Sequence, residues 1–184
     1  MAKAKSDRKT IDIVFVLLGL AATVVLLAVG TLAWVASDFA KTTVKDELSS
    51  QKIYFPEKDS PALKSLPESD RVAMEQYAGE QLTTGDQAKV YADNYIGVHL
   101  GKIAGGKTYS EVSAEAMANP TDTKLAAQKQ TLFQGETLRG LLLGDGYAYW
   151  TIGQIAYYAA AAALAGAGVM VILVLFGMRH ISRK

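Results

Sequence analysis

The sequence has no cysteine and only two histidines. The first absence excludes disulfides, a thiol nucleophile, Cys-ligated zinc and a lipidated cysteine. The second leaves His99 and His180 without a cysteine, histidine or spaced carboxylate partner, so neither a metal site nor a Ser–His dyad is supported. A lone histidine on the apolar face of a helix, as His99 is, reads first as a hydrogen-bonded core residue. Excess charge is also missing. The formal net charge is +1 over 184 residues, which excludes the concentrated basic face of a nucleic-acid-binding protein. The carboxylates Asp70, Glu75, Glu80, Asp93 and Glu111 are scattered, and no acid/base pair stands out among them. Alternating apolar and polar residues appear nowhere except the short run Ile53–Phe55, so an all-helical fold is expected.

Charge is absent altogether from two stretches. Residues 146–178 contain no Asp, Glu, Lys, Arg or His, and neither do the 25 residues 13–37. A bilayer-spanning helix needs about 20 mostly apolar residues, so both are long enough. The first is also longer than the roughly 7–15-residue apolar core of a signal peptide, which favours an uncleaved anchor. The boundaries expected are a basic tail 1–11, a first span 12–37, a domain 38–145, a second span with an interfacial collar 146–178, and a basic tail 179–184. Asp12 lies four residues after Arg8, the spacing of a paired interfacial carboxylate. Lys3, Lys5, Arg8 and Lys9 flank one span, and Arg179, Arg183 and Lys184 flank the other. Positive charge marks the cytoplasmic side, so both tails are expected there, in a plasma membrane. Trp34, Tyr147, Tyr149 and Trp150 sit at the opposite ends, where amphipathic rings favour the headgroup level.

The domain between the spans is expected to be helical and to face outward. The helix of the first span continues for about three turns through residues 38–51. Residues 52–67 hold Pro56, Pro61 and Pro67 and read as an extended linker anchored by Ile53, Tyr54 and Phe55. A helix is expected over 68–82, with Val72, Met74, Tyr77 and Ala78 as its apolar points. Thr84 and Gln87 have the spacing of a capping box, as do Thr108 and Glu111. Between them Ala88, Tyr91, Ala92, Tyr95, Ile96, His99, Leu100 and Ile103 form one stripe at helical spacing, stopped by Gly105 and Gly106. A short helix to Ala118 follows, then one over 122–143 with Leu125, Leu132, Phe133, Leu138, Leu141 and Leu142 apolar. Gly144, Asp145 and Gly146 read as a turn or kink into the second span.

One motif competes with this reading. Gly101, Gly106, Lys107 and Thr108 satisfy the phosphate-loop expression G-x-x-x-x-G-K-[ST]. That chemistry needs a buried strand before the loop, and the preceding residues keep helical spacing instead. The match is therefore read as a glycine helix stop followed by a threonine-capped helix, and no cofactor is expected.

The spans offer a different signal. Ala162 and Gly166 have the small-xxx-small spacing that lets helix backbones approach, and Gly19, Ala22, Thr23 and Gly30 supply small residues on the first span. The helix-packing interface is thus expected at Ala162, Gly166, Gly19 and Thr23, with Gly166 the most sensitive position. Small residues on every face of the second span exceed what one neighbour needs, which points to another membrane protein or a second copy.

The segments SQKIYFPEKDSPAL, YAGEQLTTGDQAKVYADNYIGVHLGKIAGGKTYSEVSAEA and TLFQGETLRGLLL, followed by an alanine-rich span, resemble small two-span membrane proteins found in actinobacteria. The resemblance implies an architecture and carries over neither an activity nor site residues. The functional expectation is a non-catalytic, membrane-anchored accessory or scaffold protein in contact with lipid and with another membrane protein. The alternatives are a ligand-binding sensor that signals through a partner, and an envelope-associated enzyme for which no catalytic constellation is found.

Overall fold

The computed structural model describes residues 2–183, with side chains from residue 8 onward. The side chains of Lys3 and Lys5 and the whole of Lys184 lie outside the described residues. Every regular element of the described chain is a helix. Its elements are α1 (Ala2–Ser50), α2 (Pro61–Lys64), α3 (Glu68–Glu75), α4 (Gly85–Val90), a π segment (Tyr91–Gly97), α5 (Val98–Ile103), α6 (Tyr109–Ala118), α7 (Thr123–Leu141), a second π segment (Leu142–Ala148) and α8 (Tyr149–Ser182). No strand occurs among the described residues, only an isolated antiparallel bridge between Tyr54 and Gln81. The chain divides into two compact units, Met1–Phe39 with Gly153–Lys184, and Ala40–Ile152.

The first unit is an antiparallel helix pair. Val16 lies against Gly177, Gly19 against Val174, Leu26 against Gly166 and Gly30 against Leu164. Among the less exposed positions of α1 are 12, 16, 19, 23, 26, 30, 33 and 37, with 22 beside them, and among those of α8 are 153, 156, 160, 163, 167, 170, 174 and 177, with 154, 164 and 166 beside them. The main line on each helix alternates steps of three and four. That is the heptad seam of a left-handed helix pair. Its contents are mostly small: Gly19, Thr23, Gly30 and Ser37 on α1, and Gly153, Ala160 and Ala167 on α8, are buried. The Thr23 hydroxyl donates to the Gly19 carbonyl at 2.8 Å, so its polarity is satisfied within its own helix. Large apolar side chains point away from the seam, with Leu32 71% exposed and Phe176 66%.

The residues expected at a helix-packing interface are distributed unevenly about this seam. Gly19 and Thr23 lie on it. Ala162 is exposed on another face, and a Cβ at Gly166 would meet Leu26 Cδ1 only at an ordinary 3.6 Å. The tight approach is at Gly30, where a Cβ would fall 2.8 Å from Leu164 Cγ and 3.3 Å from its backbone nitrogen. A span crowded with small residues hides which of its faces is used. The seven-residue repeat Gly153, Ala160, Ala167, Val174 is the signal that distinguishes it.

The second unit is conventional. Leu63, Met74, Leu82, Val112, Leu132 and Leu142 are fully buried in one core with Val44, Leu48 and Phe55. Both capping boxes form. Thr84 accepts from the Gln87 N–H, and the buried Gln87 side chain accepts from the N–H groups of Thr83 and Thr84 while donating to Glu80. Gly85 opens α4 beside Trp150, so close that a Cβ there would overlap the indole and lie 2.9 Å from the Gly146 carbonyl oxygen.

Several expectations need correction. The proline-rich segment is not wholly extended: Ser60 caps α2, with Pro61 in its first turn. Phe55 is the anchor, 2% exposed, while Tyr54 points outward. The helix expected over 68–82 ends at Glu75. Gly79 then takes a φ of +74° and turns the chain into the bridge with Tyr54. Val72 is exposed although Met74 is buried, because a helix of only two turns has one inward line. Of the apolar residues of the 122–143 helix, Phe133 and Leu141 are about half exposed. Gly144, Asp145 and Gly146 do not break the helix. They lie in the second π segment, where a widened turn absorbs them while the ladder continues.

Candidate functional site

The phosphate-loop residues fall at a helix stop. Gly101 is inside α5, which ends at Ile103. Gly105 and Gly106 follow with φ of +65° and +85°, a left-handed backbone that glycine adopts without strain. Lys107 Nζ donates to both carboxylate oxygens of Glu115, at 2.7 and 2.8 Å. Thr108 caps α6: its hydroxyl accepts from the Glu111 N–H at 3.3 Å, and the Glu111 carboxylate accepts from the Thr108 N–H at 2.7 Å. The Thr108 N–H and, at 2.9 Å, the Thr108 hydroxyl both donate to the Glu111 carboxylate and hold it below its usual range. A phosphate loop needs a strand before it, a free lysine and a hydroxyl turned to a metal ion. Here a helix precedes it, the lysine is paired and the threonine is a cap.

The cleft beside this turn is electrically balanced. Asp93, Glu136, Arg139 and Lys107 line it, in a volume of about 370 Å³. Asp93 accepts from Lys89 Nζ at 2.7 Å and from Arg139 Nη2 at 3.0 Å. The Lys89 bond, seconded by Arg139 and opposed by partial burial, depresses the Asp93 carboxyl, and the same bond raises the Lys89 ammonium. Arg139 Nε is buried against Gly97 and has no acceptor. With each cation facing a carboxylate, the cleft offers no net attraction to an anion.

The other carboxylates considered from the sequence are also engaged. Asp70 accepts from Asn94 at 2.8 Å, Glu75 pairs with Arg71 at 2.6 Å, and Glu80 accepts from Gln87 at 2.9 Å. No group of three or more His, Asp or Glu residues is placed to hold a metal ion among the described residues.

His99 stands in a different setting. Its Nδ1 lies 2.7 Å from the Tyr95 carbonyl oxygen. A carbonyl only accepts, so Nδ1 carries the proton, and Nε2 of the neutral ring is left as an acceptor. The ring packs on Tyr95 with centroids 4.5 Å apart, Tyr95 on Tyr91 at 5.0 Å, and Tyr91 edge-on to Phe55 at 5.3 Å. Phe55 also meets Tyr77 at 5.2 Å, making an unbroken chain of five rings. Its inner end is core. Its outer end, Tyr91, Tyr95 and His99, lines a cleft of about 390 Å³ against Thr131, Gln134 and Leu138 of α7. Burial pushes the Tyr91 phenol up, with a smaller contribution from Tyr95, so it stays neutral beyond the usual range. The floor exists because residue 135 is glycine: a Cβ there would overlap Leu100. The sequence places Tyr91, Tyr95 and His99 on one helical stripe, with His99 expected as a hydrogen-bonded core residue; the structure leaves all three partly exposed. The signal in the sequence is that three stripe positions spaced four apart, 91, 95 and 99, are amphipathic rings.

A further cleft of about 460 Å³ lies between residues 43–51, at the end of α1 and just past it, and residues 141–149, with Glu47 and Asp145 among its lining. No family model matches this chain, and neither the curated proteins nor the solved structures give a match.

Proposed function

We propose that the chain is a two-span protein of the plasma membrane with both tails cytoplasmic, acting as a non-catalytic accessory or scaffold through its spans and its outward domain. The observation that carries this reading is the reversed packing of the helix pair. Both helices are long and apolar enough to cross a membrane, bury small residues against each other and expose large ones. In water such a surface costs free energy at every exposed leucine and phenylalanine, and only lipid or apolar protein relieves it. Arg8 and Lys9 at one end, with Arg179 and Arg183, support the cytoplasmic placement of the tails.

Docking through the second span rests on its other small face. A Cβ at Gly168 would meet nothing within 4 Å, so this position is free of intrachain packing. Gly168→Leu is expected to leave level and membrane insertion unchanged and to abolish recovery of co-purifying membrane protein in mild detergent. Recovery equal to wild type would remove the case for docking there. Reporter fusions active only outside the cytoplasm, placed near Gly106 and after the C-terminus, are expected to give signal at Gly106 alone. A ligand-binding sensor is the second reading, favoured by the cleft beside Tyr95 and His99.

A further inference from the structure

The ring-lined cleft of the Ala40–Ile152 unit has a composition that selects for a ligand class. None of the residues lining it is Asp, Glu, Lys or Arg. A charged ligand entering it would lose hydration and gain no counter-charge. Polar groups of mixed kind are carried by its lining residues, the hydroxyls of Tyr91 and Tyr95, the Gln134 amide and His99 Nε2, on a surface that is mostly apolar. None of these side-chain atoms has a hydrogen-bond partner among the described residues, whereas the Thr131 hydroxyl is already committed to the Ala127 carbonyl. Beside them lie the apolar walls Ile96, Ile103 and Leu138.

The rings narrow the choice further. Tyr91, Tyr95 and His99 are in mutual contact at 5.0 and 4.5 Å and tilted by 41° and 47°. Grooves for proline-rich peptides receive prolines between aromatic side chains. Rings already touching leave no slot for one. They present instead contiguous ring surface, stepped by those tilts, against which a partly apolar ligand can pack. Two of the three rings are carried by the π segment Tyr91–Gly97, a widened turn of a kind that recurs at functional sites. The cleft volume is also within the roughly 300–1,000 Å³ of small-molecule sites.

We propose that this cleft binds a neutral oligosaccharide. A pyranose ring has a C–H face that packs on aromatic rings and a rim of hydroxyls that both donate and accept. The Tyr91 and Tyr95 hydroxyls can serve either sense, the Gln134 amide supplies both, and His99 Nε2 accepts. This assignment holds on whichever side of a membrane the domain lies.

The test uses the full chain in lipid nanodiscs free of glycolipid and of sugar-headed detergent, with tyrosine and histidine rings isotopically labelled for NMR. Maltohexaose, cellohexaose and chitohexaose are titrated to about 10 mM, the weak end of specific binding. At least one is expected to shift the Tyr95 and His99 signals saturably. Gln134→Ala, a change at an exposed side chain, is expected to weaken that binding about three- to tenfold, the worth of one lost hydrogen bond, with the spectrum otherwise unchanged. Tyr95→Phe is expected to keep part of the affinity that Tyr95→Ala loses. Silence of all three sugars overturns the proposal. So does binding indifferent to Gln134→Ala and Tyr95→Ala, or a neutral proline-rich decapeptide shifting these signals where the sugars do not.

Discussion

The two units of this chain obey opposite packing rules. In Ala40–Ile152 the large apolar side chains are inside: Leu63, Met74, Leu82 and Leu132 have almost no exposed surface. In the helix pair the inside belongs to Gly19, Gly30, Gly153, Ala160 and Ala167, and the outside to Leu32, Val35, Ile155 and Phe176. Water rewards the first arrangement, because burying a leucine removes apolar surface from solvent. Lipid is indifferent to leucine, so backbone proximity and dispersion decide the second, and small residues permit the closest approach. One chain thus carries two cores of opposite composition, the second of which suits lipid under the proposed setting.

Truncating a large side chain in each unit is the sharpest way to break that contrast. Leu132→Ala leaves a cavity in a closed core and is expected to cost about 2–5 kcal/mol in denaturant unfolding of the domain. Leu32→Ala leaves no cavity, since lipid fills the space under the proposed setting, and is expected to stay within about 0.5 kcal/mol. Comparable losses at the two sites would show that the helix pair is packed for water.

Adding one methyl group tests the same contrast from the other side. Gly85→Ala drives a Cβ into Trp150 and towards the Gly146 carbonyl, and neither can move without displacing a helix. Its expected cost is at the upper end of the roughly 1–3 kcal/mol of overpacking, read as a lowered midpoint of domain unfolding. Gly30→Ala meets Leu164 down to its backbone nitrogen and is expected to cost about 1–3 kcal/mol in resistance of the helix pair to SDS. Gly166→Ala, which makes only an ordinary contact, is expected to change that resistance by less than about 0.5 kcal/mol. Equal sensitivity at Gly30 and Gly166 would mean that the heptad seam is not the packing face.

Polar pairs separate the units less sharply. Asp93 holds both Lys89 and Arg139, and Asp93→Asn is expected to cost the domain about 0.5–1 kcal/mol at neutral pH. Because the folded carboxyl is depressed, its contribution is complete above the ordinary carboxylate range of about 4 and is lost as pH falls through the lower folded value. The difference between wild type and Asp93→Asn should therefore shrink as unfolding is measured at successively lower pH. Lys107→Ala removes one half-exposed pair with Glu115 and is expected to cost less than about 0.5 kcal/mol, with partner recovery unchanged. Loss of function at normal protein level would restore the phosphate-loop reading.

The sequence by itself determined what depends on local chemistry. Long runs without charge mark the two apolar helices. Thr84 with Gln87, and Thr108 with Glu111, mark two helix starts, because a cap is made by residues three apart. The glycine pair 105–106 marks a stop. What needed the tertiary structure is every feature set by a neighbour distant in the chain. The alanine-rich span presents small residues on all sides, and only the heptad partner residues of α1 select Gly153, Ala160 and Ala167 as the buried line. Gly144 and Gly146 look like a break, yet the ladder runs through them as a π turn, with Gly146 beside Ala88 and Gly85 beside Trp150. Tyr91, Tyr95 and His99 share the stripe that Ala92, Ile96 and Leu100 bury. They line a cleft because Gly135 of α7, facing Leu100, carries no side chain there. Periodicity assigns a residue to a face; whether that face is filled or left open depends on what the opposite helix brings to it.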